Sequence, residues 1–572
     1  MQILKPRTHL RHLSVIVLFL LLHISQLYGQ QMRIPVIPVN FTDIHIKASQ
    51  ESIKGKLDSV SLYFNSQTQS SNYIQLELCS SVQLSQSQAY YGRNGGEALD
   101  EMIHRALIDA CNEANSQIDF KRYDNNGDSY IDCILLLCAG IGESNGGTSD
   151  DIWPQVSRLS YFGSSLSLDA CKAELFCVIS EGDPLGTICH EFGHVLGLPD
   201  FYDTDGNGSG GECKSMGGCL SLMDRGRHND SGNTPPALNG AELSLLTSNR
   251  GRELQEGHYT LSPLSKGGNY LRYGASLDEY YIVECRDNSL WDKGFDVSGL
   301  VIYHINKSTS DAGWCDYYRR VLNAQERWRY NHVNCNPLYP CAYLIEHGNG
   351  IKYLPSPQYD NFGFAEDRRF AFTDGTLGDI ALCRIQKESD GCVSFDAIRP
   401  VTSKLEACFQ DGAIISWETA PELGVINAYF VHLYNEEGVN KYFITNHNSF
   451  SLRGLDSNKE YKVEIECLLD DNNSIFSQLS FKTKAQTANT PAYINLSSST
   501  RNDDGSFKVG SRIALRISNM PQGAEVVWMW NGEKINTEDL IWFTLESGGL
   551  LRAIILHENG DSEIIERKIV AK

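Results

Sequence analysis

Residues 190–200 read His-Glu-Phe-Gly-His-Val-Leu-Gly-Leu-Pro-Asp, and this stretch carries the strongest structural and chemical signal in the chain. His190 and His194 are four residues apart, so on a helix both imidazoles leave the same face and can bind one metal ion. Glu191 lies between them in the sequence, and the glycine after the helix lets the chain turn and bring Asp200 back as a third ligand. The pattern His-Glu-x-x-His-x-x-Gly-x-x-(His/Asp) predicts a zinc site of the peptidase type.

The chemistry of such a site assigns a role to Glu191. A catalytic zinc has three protein ligands and keeps one position open for water, whose pKa it lowers to about 7. A carboxylate must then accept the water proton and deliver it to the leaving amine. We predict that Glu191 is this general base. The alternative is a helix with two surface histidines and a nearby glutamate, which Asp200 and the export signal described below disfavour.

The third ligand has two candidates. Asp200 fits the spacing, although it begins an acidic loop that could equally bind calcium or form turns. Glu242 is the competitor, because glutamate-type zinc peptidases use a distant acidic residue. We favour Asp200 and keep Glu242 open. Downstream, Ser221-Leu-Met223-Asp224 predicts a tight methionine turn in which Met223 is soft packing beneath the histidines rather than a ligand.

Length, charge and the N-terminus indicate an exported protein of several domains. The chain has 572 residues, too many for one core, so we expect three or four domains. Its net charge of −22 argues against nucleic-acid and anionic-membrane partners. Basic residues, then an apolar run and a small residue, predict a signal peptide over residues 1–29. The apolar run is too short for a comfortable membrane span, and no later stretch is suitable, so we expect a protein that is secreted or at the cell surface.

Cysteines and an acidic loop suggest two further stabilising devices. Seventeen cysteines in an exported chain suggest disulfides, and the odd number leaves at least one thiol free or shared between molecules. We expect disulfides between close pairs such as Cys171/Cys177, Cys213/Cys219 and Cys335/Cys341. Oxygen-bearing side chains alternate in one loop as a hard cation such as Ca²⁺ requires, at Asp124, Asn126, Asp128 and Asp132. This loop lacks the usual glycine and the bidentate glutamate, so a solvated turn explains it nearly as well.

The pattern of apolar residues divides the chain. An opening strand, helical spacing near residues 49–65 and 97–114, and two apolar strands predict an α/β (α+β) domain over residues 30–250. With the metal motif on its last helix, this arrangement is consistent with a metzincin-like zinc peptidase domain. Strand-like alternation then dominates, which predicts all-β domains. We assign a β-rich domain associated with the catalytic domain, a fibronectin type III-like sandwich containing Trp417, and an Ig-like β-sandwich, at residues 251–400, 401–486 and 487–572.

Over roughly residues 33–400 the chain resembles the immune inhibitor A-type secreted metallopeptidases. The resemblance rests on the order of motifs, which are Val36–Asp43, the Asp-rich loop at 124–132, Ile152-Trp-Pro154, His190–Asp203, Ser221-Leu-Met223, Glu279–Arg286 and Gly299–His304. It implies an exported zinc endopeptidase with accessory β domains, often stabilised by calcium. Two features depart from the family. The first strand closely follows the signal, so a long inhibitory prosegment is not expected. The loop after Met223 lacks an obvious tyrosine for the oxyanion, which leaves His228 as a candidate, with a surface histidine as the alternative.

Three functions are compatible with these signals. The first is a zinc endopeptidase that cleaves extracellular proteins or peptides. The second is a surface adhesion or binding protein with a vestigial peptidase domain, in which the C-terminal sandwiches contact a surface or a glycan. The third is zinc-dependent hydrolysis of a bond other than a peptide. An intact His190, Glu191 and His194 favours the first, because a retired site has no chemical reason to keep all three.

Overall fold

The computed structural model describes residues 31–572, except for residues 70–73, 96–98, 214–215, 275, 295–296, 310–311, 315–319, 348–349, 365–368, 424, 470–473, 486–490, 499–500, 503, 522 and 558–559. The predicted signal peptide lies outside the described residues. The chain forms two compact units. The first runs to Asn361 and includes Cys383–Ala397, and the second contains Phe362–Leu382 and Ile398–Lys572. The domain boundaries inferred from the sequence stay predictions.

The first unit begins with a twisted sheet in the strand order β2-β1-β5-β9-β6. Strands β1, β2, β5 and β9 are parallel, whereas β6 is antiparallel to β9 and ends the sheet. The apolar run Ile-Leu-Leu-Leu-Cys forms β5, which is buried on both faces as central parallel strands are. The strands are β1 (Met32–Asn40), β2 (Ile74–Leu78), β3 (Val82–Gln83), β4 (Tyr130–Ile131), β5 (Ile134–Cys138), β6 (Gln155–Arg158), β7 (Leu166–Leu168), β8 (Cys171–Ala173) and β9 (Leu175–Ser180).

Helices cover both faces of this sheet. The helices are α1 (Gln50–Thr68), α2 (Gln88–Gly92), α3 (Ile103–Ala114), α4 (Leu185–Val195) and α5 (Gly240–Leu246). Apolar side chains of α1 and α4 share a core with one set of alternating strand residues. The apolar face of α3 shares a second core with the other set. The predicted α/β class and the two early helices are confirmed, with α3 beginning later than its sequence pattern suggested.

A second sheet, in the order β10-β12-β13-β14-β17, belongs to the same unit. Its buried Arg286 donates to Leu220 O and Ala237 O and pairs with Glu284 and Asp292, so the sheet is fixed directly to the methionine-turn region. The elements of this part are β10 (Gly251–Glu253), β11 (Gly257–Leu261), β12 (Tyr270–Tyr273), β13 (Glu279–Arg286), β14 (Gly299–Asn306), β15 (Ala312–Trp314), β16 (Val321–Asn323), α6 (Ala324–Arg329), β17 (Ala342–Leu344), β18 (Ala381–Lys387) and β19 (Val393–Ile398).

The second unit contains two β-sandwiches with the same arrangement. Each places a three-stranded sheet against a four-stranded one, in the orders β20-β21-β24 with β23-β22-β25-β26 and β27-β28-β31 with β30-β29-β32-β33. Trp417 and Trp528 are buried, one in each sandwich. The predicted all-β C-terminal region is confirmed. Its strands are β20 (Val401–Cys408), β21 (Gly412–Thr419), β22 (Ile426–Tyr434), β23 (Asn440–Thr445), β24 (Ser449–Arg453), β25 (Glu460–Leu469), β26 (Ser474–Lys482), β27 (Tyr493–Ser497), β28 (Arg512–Ser518), β29 (Glu525–Trp530), β30 (Glu533–Asn536), β31 (Leu540–Thr544), β32 (Gly549–Leu556) and β33 (Ser562–Ile569).

Two of the three predicted disulfides are wrong, because Cys171, Cys177 and Cys219 are thiols. Cys171 lies on β8 and points towards the Asp124 carboxylate, whereas Cys177 lies on β9 in a different sheet. Cysteines that are close in the sequence are therefore placed in different sheets by the fold.

The third predicted pair is buried. Cys335 Sγ donates to His332 O, and Cys341 Sγ accepts a hydrogen bond from Arg327 Nε over 3.1 Å.

Among the described residues, no helix has the length and apolar content needed to cross a bilayer.

Candidate metal centre

The candidate centre is built on α4 and the turn that follows it. The helix ends at Val195, and Gly197 adopts a φ of +96°, a left-handed conformation that favours glycine. Leu198 N donates to Gly193 O, which closes the turn. The chain therefore reverses directly after the helix and brings Asp200 back over the two histidines.

Three side chains meet at this place. Asp200 Oδ1 lies 3.2 Å from His190 Nε2 and 3.3 Å from His194 Nε2. One ligand atom from each residue falls within 4.8 Å of the others, and this is the one such group of metal-binding side chains in the part of the chain that the structure describes. The two imidazoles are 4.8 Å apart and nearly perpendicular, so their lone pairs converge from different directions.

Backbone carbonyls set the tautomer of both histidines. His190 Nδ1 donates to Leu222 O over 3.0 Å, and His194 Nδ1 donates to Leu198 O over 2.8 Å. A carbonyl can only accept, so in the neutral imidazoles the Nδ1 atoms carry the protons and the Nε2 atoms, which face Asp200, are left to bind a cation. Asp200 Oδ1 is buried and takes no hydrogen bond of normal geometry from any described residue. Two nitrogens and one carboxylate oxygen with their lone pairs converging are a donor set that fits zinc.

The electrostatics of the cluster favour a bound positive charge. Burial lowers the pKa of His190 to about 4. Burial also opposes the charged form of His194, but contact with Asp200 outweighs it and raises the pKa of His194 to about 9. The two histidines outweigh the burial of Asp200 and hold the pKa of its carboxyl far below the usual range. The cluster therefore attracts a cation, which can be a proton or a metal ion.

Glu191 faces the same cleft as the cluster. Its side chain lines the cleft together with His190, His194 and Asp200, and it is 8% exposed. Burial raises the pKa of Glu191 to about 8, whereas positive charge at His194 lowers it. A cation at the cluster therefore favours the ionised carboxylate, the form that accepts a proton.

Met223 lies beneath the helix. A Cβ at Gly193 would be 2.7 Å from Met223 Sδ, so the absence of a side chain at Gly193 lets the methionine pack directly against α4. The turn itself is closed by the hydrogen bond from Gly226 N to Ser221 O, over 2.9 Å. Met223 therefore packs against the helix that carries both histidines.

The structure does not bring Glu242 into the cluster. Glu242 Oε1 accepts hydrogen bonds from Ser221 Oγ and Met223 N, and its Oε2 accepts one from Asn239 N in a capping box of α5. Its carboxylate is therefore engaged with the backbone of the methionine turn. Glu242 therefore supports the turn, and its carboxylate is not among the ligand atoms that converge at His190 and His194.

The sequence did not identify Asn331, which holds Asp200 in place. Asn331 Nδ2 donates to Asp200 Oδ2 over 2.7 Å, and Asn331 Oδ1 accepts from Asp200 N over 2.7 Å. This residue is remote in the sequence and carries no motif, so nothing in the chain pattern signals it. The paired contact leaves Oδ1 as the free oxygen of Asp200.

We therefore expect Asn331→Ala to weaken metal affinity by about 10–100-fold, the range for loss of a partner that orients a metal ligand. Titration of the apoprotein with zinc, followed by calorimetry, measures this change. Asn361→Ala is a suitable control, because Asn361 lies far along the chain and its Nδ2 bonds only the neighbouring Asp360 carboxylate among the contacts seen. Unchanged zinc affinity in Asn331→Ala would contradict the positioning role.

The calcium prediction for the Asp-rich loop is not supported. Asp124 carboxylate oxygens accept from Asp128 N and Ser129 N, and Asp128 Oδ1 accepts from Tyr130 N. Asn126 Oδ1 also accepts from Asp128 N, and Asp132 Oδ2 accepts from the backbone and side chain of Asn125. The oxygens are thus directed at the loop's own N–H groups. The sequence alternative, a hydrogen-bonded turn, is the better account.

Arg227, rather than His228, approaches the cluster. Arg227 Nη1 donates to His190 Nε2 over 3.2 Å, and its guanidinium lies over the Tyr202 ring at 4.9 Å. His228 is exposed and accepts a hydrogen bond from Arg227 Nε over 3.1 Å. The group at this place is thus a guanidinium rather than the aromatic hydroxyl or imidazole expected from the sequence.

A cleft of about 350 Å³ runs past the cluster and along β6. Its other walls include Trp153, Tyr161 and Tyr202. Because β6 is the last strand of its sheet, its outer edge offers unpaired backbone groups to an extended chain.

A His-His-Asp cluster, an adjacent glutamate and an open cleft in an α/β domain are features typical of metallopeptidases. Residues 41–251 match the family described as the immune inhibitor A peptidase M6 catalytic domain. The predicted resemblance is confirmed for this part of the chain, and the match supports a metalloprotease, a hydrolase of peptide bonds.

Individual relatives agree with the family match. Immune inhibitor A of Bacillus thuringiensis subsp. alesti is 29% identical over 140 residues, which are 21% of this chain and 20% of the relative. Pre-pro-metalloprotease PrtV of Vibrio cholerae serotype O1 is 29% identical over 180 residues, 27% of this chain and 20% of the relative. The chain thus spans about a fifth of the length of these relatives. A two-domain fibronectin type III segment of chicken tenascin aligns with 30% of this chain and 97% of its own, at 14% identity and a TM-score of 0.14.

Proposed function

We propose that this chain is an exported zinc-dependent endopeptidase that hydrolyses extracellular proteins, with His190, His194 and Asp200 as zinc ligands and Glu191 as general base. The observation that carries the proposal is the convergence of one ligand atom each from two histidines and an aspartate beside a buried glutamate in one cleft. Export is inferred from the signal-peptide pattern at residues 1–29.

The residues of the cleft supply separate parts of the reaction. Bound zinc would polarise the scissile carbonyl and make water a usable nucleophile at neutral pH. Glu191 accepts the proton of the attacking water and returns it to the leaving nitrogen. An extended substrate pairs with the free edge of β6, which holds its backbone across the cluster. Edge pairing recognises backbone away from chain ends, and this favours cleavage inside a protein over removal of terminal residues.

The test is cleavage of casein by the purified chain. We expect internal fragments in a mass spectrum, complete loss of cleavage with a chelator, and recovery when zinc is added back. Release of single terminal amino acids instead would contradict the endopeptidase assignment. Full activity after the metal has been removed, as verified by elemental analysis, would contradict zinc dependence.

The adhesion alternative is not favoured, because the three ligand atoms and Glu191 remain assembled in the cleft. The C-terminal sandwiches carry no observation that assigns them a glycan or a surface. We therefore propose no binding function for them.

A further inference from the structure

Arg227 is a positively charged side chain that contacts the His190–His194–Asp200 cluster directly. Its Nη1 donates to His190 Nε2 over 3.2 Å. The contact consumes the same lone pair that a metal ion would use, so the arginine is released from it when metal binds. Arg227 forms no ion pair with a described carboxylate, in contrast to Arg225, which pairs with Glu212 in the same segment. A half-buried guanidinium without an anion is therefore available at the open side of the cluster.

The fold holds this arginine in place. A Cβ at Gly186 in the first turn of α4 would be 2.2 Å from Arg227 O, so the backbone of Arg227 packs directly on the helix that carries the histidines. The guanidinium rests on the Tyr202 ring at 4.9 Å, and its Nε bonds His228 Nε2. Backbone, stacking and hydrogen bond fix its direction, which lowers the entropy lost when Nη1 donates to a ligand.

We propose that Arg227 is a further catalytic residue, which donates a hydrogen bond to the oxyanion that forms on the scissile carbonyl. This inference rests on the proposed peptidase function. The water oxygen forms a bond to the carbonyl carbon and its proton passes to Glu191, while the π electron pair moves to the carbonyl oxygen. That oxygen, now negative, accepts from the guanidinium of Arg227. When the carbon–nitrogen bond breaks, its electron pair stays with nitrogen, which takes the proton from Glu191, and the oxyanion pair restores the carbonyl.

Charge explains why the arginine acts on this step. The substrate carbonyl is neutral, whereas the tetrahedral intermediate carries a full negative charge near the guanidinium. A preorganised donor therefore stabilises the transition state more than the bound substrate, so its removal lowers kcat more than it raises KM. Tyr202, which supports the guanidinium from below, acts as a positioning residue.

The test compares Arg227→Met, Arg227→Lys and the control Arg225→Met in the full chain. Arg225 is a good match because it lies two residues away, is exposed and has its own carboxylate partner. We expect Arg227→Met to lower kcat on a casein-derived peptide by about 10²-fold, with KM changed by no more than about threefold. Arg227→Lys keeps the charge without the fork of donors and should recover about tenfold of this loss.

A second readout does not depend on turnover. A phosphinic peptide carries an anionic tetrahedral group in place of the scissile bond, and its affinity should fall in Arg227→Met by about the same factor as kcat. Zinc content should equal that of the wild type. Unchanged kcat in Arg227→Met, or a loss confined to KM or to zinc content, would overturn the oxyanion role. If the wild type and Arg225→Met themselves cleave no peptide with zinc bound, the proposed peptidase function fails instead.

Discussion

Glu191→Gln is expected to lower kcat for casein-derived peptides by about 10²–10⁴-fold while zinc content stays at the wild-type level. Glutamine keeps the size of the side chain and its place in the cleft but cannot accept the proton of the attacking water. The side chain is not one of the three converging ligand atoms, so its replacement leaves the metal-binding set intact. The measurement is steady-state kinetics together with elemental analysis of the same preparation.

Glu191→Gln also replaces a buried carboxyl with a neutral amide, so the unfolding temperature of the variant provides a second test. Burial opposes the ionised form of Glu191, so Glu191→Gln should unfold at a temperature no lower than that of the wild type. A folded, zinc-loaded Glu191→Gln enzyme that cleaves at the wild-type rate would remove Glu191 from the mechanism. Glu181→Gln is the control for general damage to this region, because Glu181 accepts hydrogen bonds from Lys47 N, Ala48 N and Gly140 N and is not one of the converging metal ligands.

The sequence could predict those parts of the site that a local pattern encodes. His190, Glu191 and His194 share one helix, and the glycine turn returns Asp200 within a few residues, so spacing alone places them together. The apolar run of β5 and the alternating strands of the C-terminal region likewise identify themselves by their periodicity. These features depend on short-range geometry, which is the same in every protein.

The remaining parts depend on contacts between distant segments. Asn331 holds Asp200 across 131 positions, and Arg227 reaches His190 across 37, and neither has a spacing that reveals its partner. The disulfide prediction failed for a related reason. Cys171 and Cys177 are neighbours in the sequence, but the chain changes sheet between them. For the acidic loop the local pattern was ambiguous, because oxygen spacing suitable for calcium also suits hydrogen bonds to backbone N–H groups.

Asp200→Ala is expected to remove stoichiometric zinc, whereas Glu242→Gln should retain it. Loss of Asp200 leaves two histidines as ligands, and its effect should exceed the roughly 10–100-fold weakening that follows loss of a supporting residue. Elemental analysis after dialysis against zinc-free buffer, followed by zinc titration, measures both variants. Full zinc retention in Asp200→Ala together with zinc loss in Glu242→Gln would reverse the assignment of the third ligand.

Glu242→Gln should have a smaller effect of a different kind. Glu242 holds Ser221 and Met223, and the carbonyl of Leu222 between them accepts the Nδ1 proton of His190. A glutamine amide cannot accept all of these hydrogen bonds, so we expect a loss of about 1–3 kcal/mol in the free energy of unfolding. Because the Leu222 carbonyl orients His190, zinc affinity should fall by about tenfold without loss of stoichiometry. Loss of stoichiometric zinc therefore identifies Asp200 as a ligand, whereas weaker binding at full stoichiometry identifies Glu242 as a residue that supports the ligand His190.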